Sequence, residues 1–162
     1  MPEKIIFILT GTIQSGKTTK LLQWIAGRKD VFGILTPVAE GKRVFMNANT
    51  KEQFDMEAGN NDIDPVAIGK YLFSRKSFVR AIEILQKALK NDNGWLVVDE
   101  IGPLELRGEG FCEGVNEILS ANTGLKILFV IRDSILDGAI QFYQLDQYNI
   151  SVISIDSFDQ EK

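Results

Sequence analysis

The segment Gly11-Thr12-Ile13-Gln14-Ser15-Gly16-Lys17-Thr18 fits the pattern G-x-x-x-x-G-K-[ST] without a gap, and it constrains the fold more than any other stretch of the 162-residue chain. Such a loop needs a strand before it and a helix after it. Residues 4–10 form a continuous, isoleucine-rich apolar run, which predicts a strand buried on both faces, as in a parallel sheet. From Thr18 onward, Leu21, Leu22, Trp24 and Ile25 recur at helical spacing until Gly27, which predicts a helix. In that setting glycine lets the loop curl so that successive backbone N–H groups point inward, and the helix N-terminus adds partial positive charge. The hollow suits a triphosphate.

Gly11, Thr12, Ile13, Gln14, Ser15, Gly16, Lys17, Thr18 and Thr19 are therefore the candidate nucleotide-binding residues. Lys17 would set a compact ammonium between the β- and γ-phosphates, and the Thr18 hydroxyl would ligate the Mg²⁺ that bridges them. Gly16 is expected to tolerate no side chain.

Further along, apolar runs at residues 31–37 and 43–46 predict two strands, with Glu40-Gly41-Lys42 as a hairpin turn that makes this part of the sheet antiparallel. Residues 60–65 are dense in turn formers and read as a surface loop. Phe78, Ala81, Ile82, Leu85, Ala88 and Leu89 form an apolar stripe that predicts a helix ending at Asn91-Asp92-Asn93-Gly94. A strand over 95–98, a helix carrying Phe111, Val115, Ile118 and Leu119, and strands over 126–131 and 150–155 complete the pattern. Strands alternating with helices imply a three-layer α/β sandwich with a mostly parallel sheet, which binds ligands at the carboxyl ends of its strands. The length and the 44% hydrophobic content suit one domain spanning 1–162. Trp24 and the phenylalanines lie within predicted core elements and read as packing rather than as a base-stacking platform.

The strand over 95–98 runs into Asp99-Glu100, the form of a Walker B element. Asp99 would hold the Mg²⁺ shell, and Glu100 would polarise a water toward the γ-phosphate, a division that favours hydrolysis over binding alone. Glu105 follows a bend at Gly102-Pro103; a hydrogen bond to a water or to the phosphate loop and an ordinary surface position both fit it. An arginine is needed where charge spreads over the transferring phosphoryl group, and the candidates are Arg43, Arg107 and Arg132. Arg132 is the first choice, because it follows the 126–131 strand at its carboxyl end; solvent exposure is the competing reading for each.

The formal net charge of −4 offers no broad attraction for nucleic acid or an anionic lipid surface. Cys112 is the only cysteine and histidine is absent, which excludes an internal disulfide, a multi-cysteine zinc site and imidazole chemistry. No run reaches the length of a secretory or membrane-spanning segment, so a cytoplasmic location is expected.

Gly-x4-Gly-Lys-Thr-Thr near the start, together with Asp99-Glu100-Ile101-Gly102-Pro103-Leu104-Glu105-Leu106, resembles the THEP-type nucleoside-triphosphatases, whose second motif also reads D-E-I-G-x-x-E-L. Gly33-Ile34-Leu35-Thr36-Pro37 and Gly41-Lys42-Arg43-Val44 resemble the family's G-x-x-T-P and G-x-R-x-G-F stretch, with Phe45-Met46 where Gly-Phe is usual. The resemblance implies a RecA-like P-loop fold, hydrolysis of ATP, GTP and other nucleoside triphosphates to the diphosphate, and Mg²⁺ as cofactor. Two other readings fit the same motifs. One is a nucleoside or nucleotide kinase, because Ser15-Gly16-Lys17-Thr18-Thr19 with a later Asp-Glu also resembles the thymidine kinase family, although Cys112 alone cannot build that family's zinc lasso. The other is a nucleotide-binding switch without turnover, for which the chain lacks an Asn-Lys-x-Asp guanine motif.

Overall fold

The computed structural model describes residues 4–12, 16–57, 65–68 and 71–154. In chain order the elements are β1 (Ile5–Thr10), α1 (Lys17–Ile25), β2 (Val31–Leu35), β3 (Val38–Ala39), β4 (Lys42–Asn47), β5 (Gln53–Asp55), β6 (Pro65–Ile68) and β7 (Tyr71–Ser74). They continue with α2 (Arg75–Ala88), β8 (Trp95–Ile101), α3 (Cys112–Ser120), β9 (Lys126–Ile131), α4 (Leu136–Tyr143) and β10 (Asn149–Ser154). The main sheet has eight strands in the order β10-β1-β9-β8-β2-β4-β3, with β5 paired to β4. Strands β10, β1, β9, β8 and β2 are parallel, and β4 runs against β2, β3 and β5. This is the P-loop architecture, mostly parallel with an antiparallel addition.

The apolar runs become strands because both sheet faces are covered. On one face Leu9, Val31, Leu35, Val97, Leu128 and Val130 pack with Leu21 and Ile25 of α1. On the other, Ile6, Ile8, Leu96, Val98, Ile127 and Phe129 pack with α2, α3 and α4 through Phe78, Leu85, Val115, Ile118, Ala139 and Tyr143. Alternation along each strand feeds one residue to each layer, and each such side chain contributes about 1.5–3 kcal/mol by leaving water. Helix α1 follows β1 through the loop, and α2 follows directly on β7; α2 is capped by the Ser74 hydroxyl, which accepts from the Ser77 N–H at 3.2 Å.

The antiparallel part turns at Glu40 and Gly41, whose φ values of 52° and 78° are those of a two-residue hairpin that follows the right-handed strand twist. The turn joins β3 to β4; β2 itself ends at Leu35, short of the expected Pro37. Pro65, expected in a surface loop, instead opens β6, which pairs with β7 as a separate hairpin; residues 60–64 of that expected loop lie outside the described residues, as does Ile155 of the last expected strand. Proline fits there because it is the first residue of a strand in a two-stranded sheet. Strands β3, β5, β6 and β7 and helix α4 are additional to the sequence expectations. No helix among the described residues is long and apolar enough to cross a membrane.

Strands β2 and β8 approach closely only because residue 33 has no side chain: Gly33 has φ +113°, and a Cβ there would lie 2.1 Å from the Val97 carbonyl oxygen. Gly33→Ala is expected to lower the unfolding free energy by about 3 kcal/mol or more, measured by urea denaturation; a variant as stable as the parent would contradict this β2–β8 pairing.

Candidate active site

Strand β1 ends at Thr10, and the chain re-enters regular structure at Lys17, the first residue of α1. Of the predicted cradle, Ile13, Gln14 and Ser15 lie outside the described residues. Gly16 stands at the helix N-cap with φ 90° and ψ 18°. No atom of the described residues lies within 4 Å of where its Cβ would be, so among them the constraint on Gly16 is the left-handed backbone rather than the lack of space expected of a tight cradle. Lys17 is only 7% exposed. Its ammonium donates to the carbonyls of Thr12 at 2.7 Å and Gly11 at 3.4 Å, so the lysine sits across the mouth of its own loop. The first N–H groups of a helix lack intrahelical acceptors, and the start of α1 therefore presents donors to an anion.

The two predicted metal-binding residues meet. The Thr18 hydroxyl donates to Asp99 Oδ2 at 2.9 Å, and the backbone N–H of Thr36 donates to the same oxygen at 3.3 Å. Asp99 is 1% exposed. Burial, and next the neighbouring Glu100 charge, push its carboxyl up to about 6, against the opposing effects of Thr18, Thr36 and Arg43. A desolvated carboxylate beside a hydroxyl is a hard-oxygen pair suited to Mg²⁺, which takes one or two protein oxygens and completes its shell with phosphate and water. Among the described residues no group of three His, Cys, Asp or Glu is placed to hold a metal.

Glu100 owes its position to a bulge. Asp99 pairs with Val130 and Ile101 with Ile131, leaving Glu100 as the extra residue. The extra residue returns Ile101 to the layer of Leu96 and Val98, and Glu100 projects at the strand end. Its Oε1 accepts from Arg132 Nη2 at 3.2 Å, with both side chains about a quarter exposed, at 26% and 24%. Arg132 follows β9, as expected. Two buried side-chain polar atoms among the described residues have no hydrogen-bond partner, Arg132 Nε and Thr10 Oγ1, and both lie at the carboxyl end of the sheet. Arg43, from β4, donates from Nη1 to the Thr36 carbonyl at 2.9 Å. A cleft of about 340 Å³ separates the first turn of α1 from Arg43, Glu100 and Arg132.

Two expected candidates stand elsewhere. Arg107 is exposed and lies 3.9 Å from Glu109, outside the cleft. Glu105 is neither a surface carboxylate nor a ligand of the phosphate loop: it is 4% exposed, and its oxygens accept from the N–H groups of Gly102 at 2.7 Å and Phe111 at 2.9 Å. It closes the loop that follows β8, and the Tyr143 hydroxyl donates to its carbonyl at 3.0 Å from α4. The residue that sequence reasoning missed is Thr36, buried at the end of β2 with its N–H on Asp99 and its carbonyl on Arg43. Its place at the end of an apolar strand, before a proline, was the available signal.

A phosphate loop and an acidic strand end joined through Thr18 and Asp99, on a mostly parallel sheet, define a P-loop nucleotide-binding protein. A sequence profile of the NTPase family matches residues 6–161, and the chain belongs to that family. In structure it is similar to THEP1 from the hyperthermophile Aquifex aeolicus, at 20% identity and a TM-score of 0.70, over 95% of this chain and 92% of that one. It is likewise similar to a human cancer-related nucleoside triphosphatase, at 22% identity and a TM-score of 0.67, over 94% and 88% of the two chains. No curated protein matches it in sequence.

The Glu105 carboxyl is pushed by burial from 4.5 up to about 7. The folded chain thus holds that proton more tightly than the unfolded chain, so this group makes stability fall as pH rises from about 4.5 to about 7, with no further change above. Urea unfolding of the parent and of Glu105→Gln across that range is expected to show the parent losing stability relative to the variant as pH increases. A difference that stays constant, or has the opposite slope, would contradict the burial of a titrating carboxyl at Glu105.

Proposed function

We propose that this protein is an enzyme that hydrolyses nucleoside triphosphates, ATP and GTP among them, to the diphosphate and phosphate in a Mg²⁺-dependent reaction. The observation that carries the reading is the Thr18–Asp99 hydrogen bond, which brings a metal-binding hydroxyl and carboxylate together at the floor of a cleft that Glu100 and Arg132 face from the other side. The polyphosphate binds along the amides from Gly11 to Thr19, with Lys17 leaving its loop carbonyls for phosphate oxygens. Thr18 and Asp99 would hold Mg²⁺, which would supply positive charge to offset that of the triphosphate.

Glu100 accepts a proton from a water as the water oxygen attacks the γ-phosphorus and the bond to the β-phosphate oxygen breaks. Arg132 holds the Glu100 carboxylate by its Nη2, and its Nε, buried without a partner, is a donor for the charge that develops on the transferring group. Arg43 supports the same side through Thr36.

Free phosphate measured with Mg²⁺ and each nucleoside triphosphate tests the reading; release is expected to stop on chelation with EDTA and to return with added Mg²⁺. Glu100→Gln is expected to bind nucleotide with near-parental affinity while turnover falls by about 10²- to 10⁴-fold; unchanged turnover would remove Glu100 from the base role. Arg132→Ala is expected to lower turnover about 10³-fold, and a loss below threefold would assign the charge stabilisation elsewhere.

A further inference from the structure

Beside the phosphate cleft lies a second cavity of about 160 Å³, which shares Thr36, Arg43, Glu100 and Arg132 with it. Its far walls are the side chains of Met56, Phe73, Phe78, Leu104 and Phe111. Those walls are fixed: Phe78 stacks edge-to-face on Phe111, with centroids 5.4 Å apart, and both meet Phe45 in the same way, at 5.0 and 5.6 Å. Opposite them, the loop that carries Leu104 is tied down by the Glu105 hydrogen bonds to Gly102 and Phe111.

Hydrolysis alone does not explain this chamber. A water occupies about 30 Å³ and needs two to four polar partners, whereas an apolar cavity of about 150 Å³ accepts benzene. The walls here are apolar on one side, and the polar side is Glu100 with its arginines, beside Thr36 and the buried Glu105. A molecule seated on Met56 and the phenylalanines therefore presents its polar end to the carboxylate that faces the phosphate cleft.

We propose that this cavity is an acceptor subsite for a small alcohol with a compact, uncharged, single-ring body, and that the protein transfers the γ-phosphoryl group to its hydroxyl in competition with water. The inference rests on the nucleotide occupying the neighbouring cleft as set out above. The alcohol oxygen forms a bond to the γ-phosphorus, the bond from that phosphorus to the β-phosphate oxygen breaks, and the hydroxyl proton passes to Glu100. The products are a phosphate monoester and the nucleoside diphosphate. A whole nucleoside, with base and sugar, exceeds the space, so the acceptor class differs from that of a nucleoside kinase.

The test is incubation of the full chain with Mg-ATP and benzyl alcohol, followed by ³¹P NMR for benzyl phosphate, ADP and free phosphate. Benzyl phosphate is expected to accumulate, with ADP equal to the sum of the two phosphate products. Met56→Trp, which fills the chamber from its partly exposed wall, is expected to lower the ratio of benzyl phosphate to free phosphate by at least about tenfold. Phe73→Leu, which enlarges it, is expected to raise the yield from 1-naphthylmethanol relative to benzyl alcohol. Free phosphate without benzyl phosphate at any alcohol concentration would overturn the proposal and leave the hydrolase reading intact, as would product ratios that neither variant moves. Failure to bind nucleotide or release phosphate would overturn both.

Discussion

The arrangement depends on one buried contact, the hydrogen bond from Thr18 on the first turn of α1 to Asp99 near the end of β8. Strand β1, which leads into α1, is not a neighbour of β8, because β9 lies between them. The contact therefore spans the carboxyl edge of the sheet and fixes where the helix start sits relative to the acidic strand end. It is a bond to a carboxylate, the class that contributes about 1.5–3 kcal/mol when made and leaves a costly group when lost. Among the described residues Thr18 and Thr36 hydrogen-bond that carboxylate, and Arg43 adds a favourable charge nearby.

From that contact the rest follows by register. A single extra residue in β8 separates the duties of adjacent acids: Asp99 stays buried on the α1 side, and Glu100 is turned toward Arg132. The loop leaving β8 must then double back without exposing Leu104 and Phe111, and the buried Glu105 carboxylate binds two of its amides to hold it there. Tyr143 reaches from α4 to the same turn. Helix α4 thus braces the loop that leaves β8 beside the Glu100 end of the cleft.

Much of this was legible in the residues. Strands buried on both faces appear as unbroken apolar runs, so β1, β8 and β9 could be read directly, and Thr18, Asp99, Glu100 and Arg132 fell at strand or helix ends by motif and position. What was illegible depends on tertiary surroundings. Arg43 and Arg107 are the same residue type, and it is the antiparallel pairing of β4 with β2 that brings Arg43 to Thr36. For Glu105 the residues left a bond to a water or the phosphate loop and a surface position equally open, because the amides that satisfy it belong to Gly102 and to Phe111, six residues later, and Tyr143, which meets its carbonyl, sits on a helix that was not foreseen. That helix is short, although Leu136, Ala139, Ile140 and Tyr143 carry its spacing. Strand β5 has three residues and one half-buried side chain, Phe54, too little for a periodic signal.

The central claim is that the main-chain amides between Gly11 and Thr18 enclose a magnesium-bound polyphosphate, with the Lys17 ammonium over it. Isothermal titration of the parent and of Lys17→Ala with a nonhydrolysable ATP analogue and Mg²⁺ addresses it most directly. The parent is predicted to bind, and the variant to bind at least about tenfold more weakly, as expected for loss of a charge-assisted contact to phosphate. No binding by the folded parent, or equal affinity in the two proteins, would contradict the account.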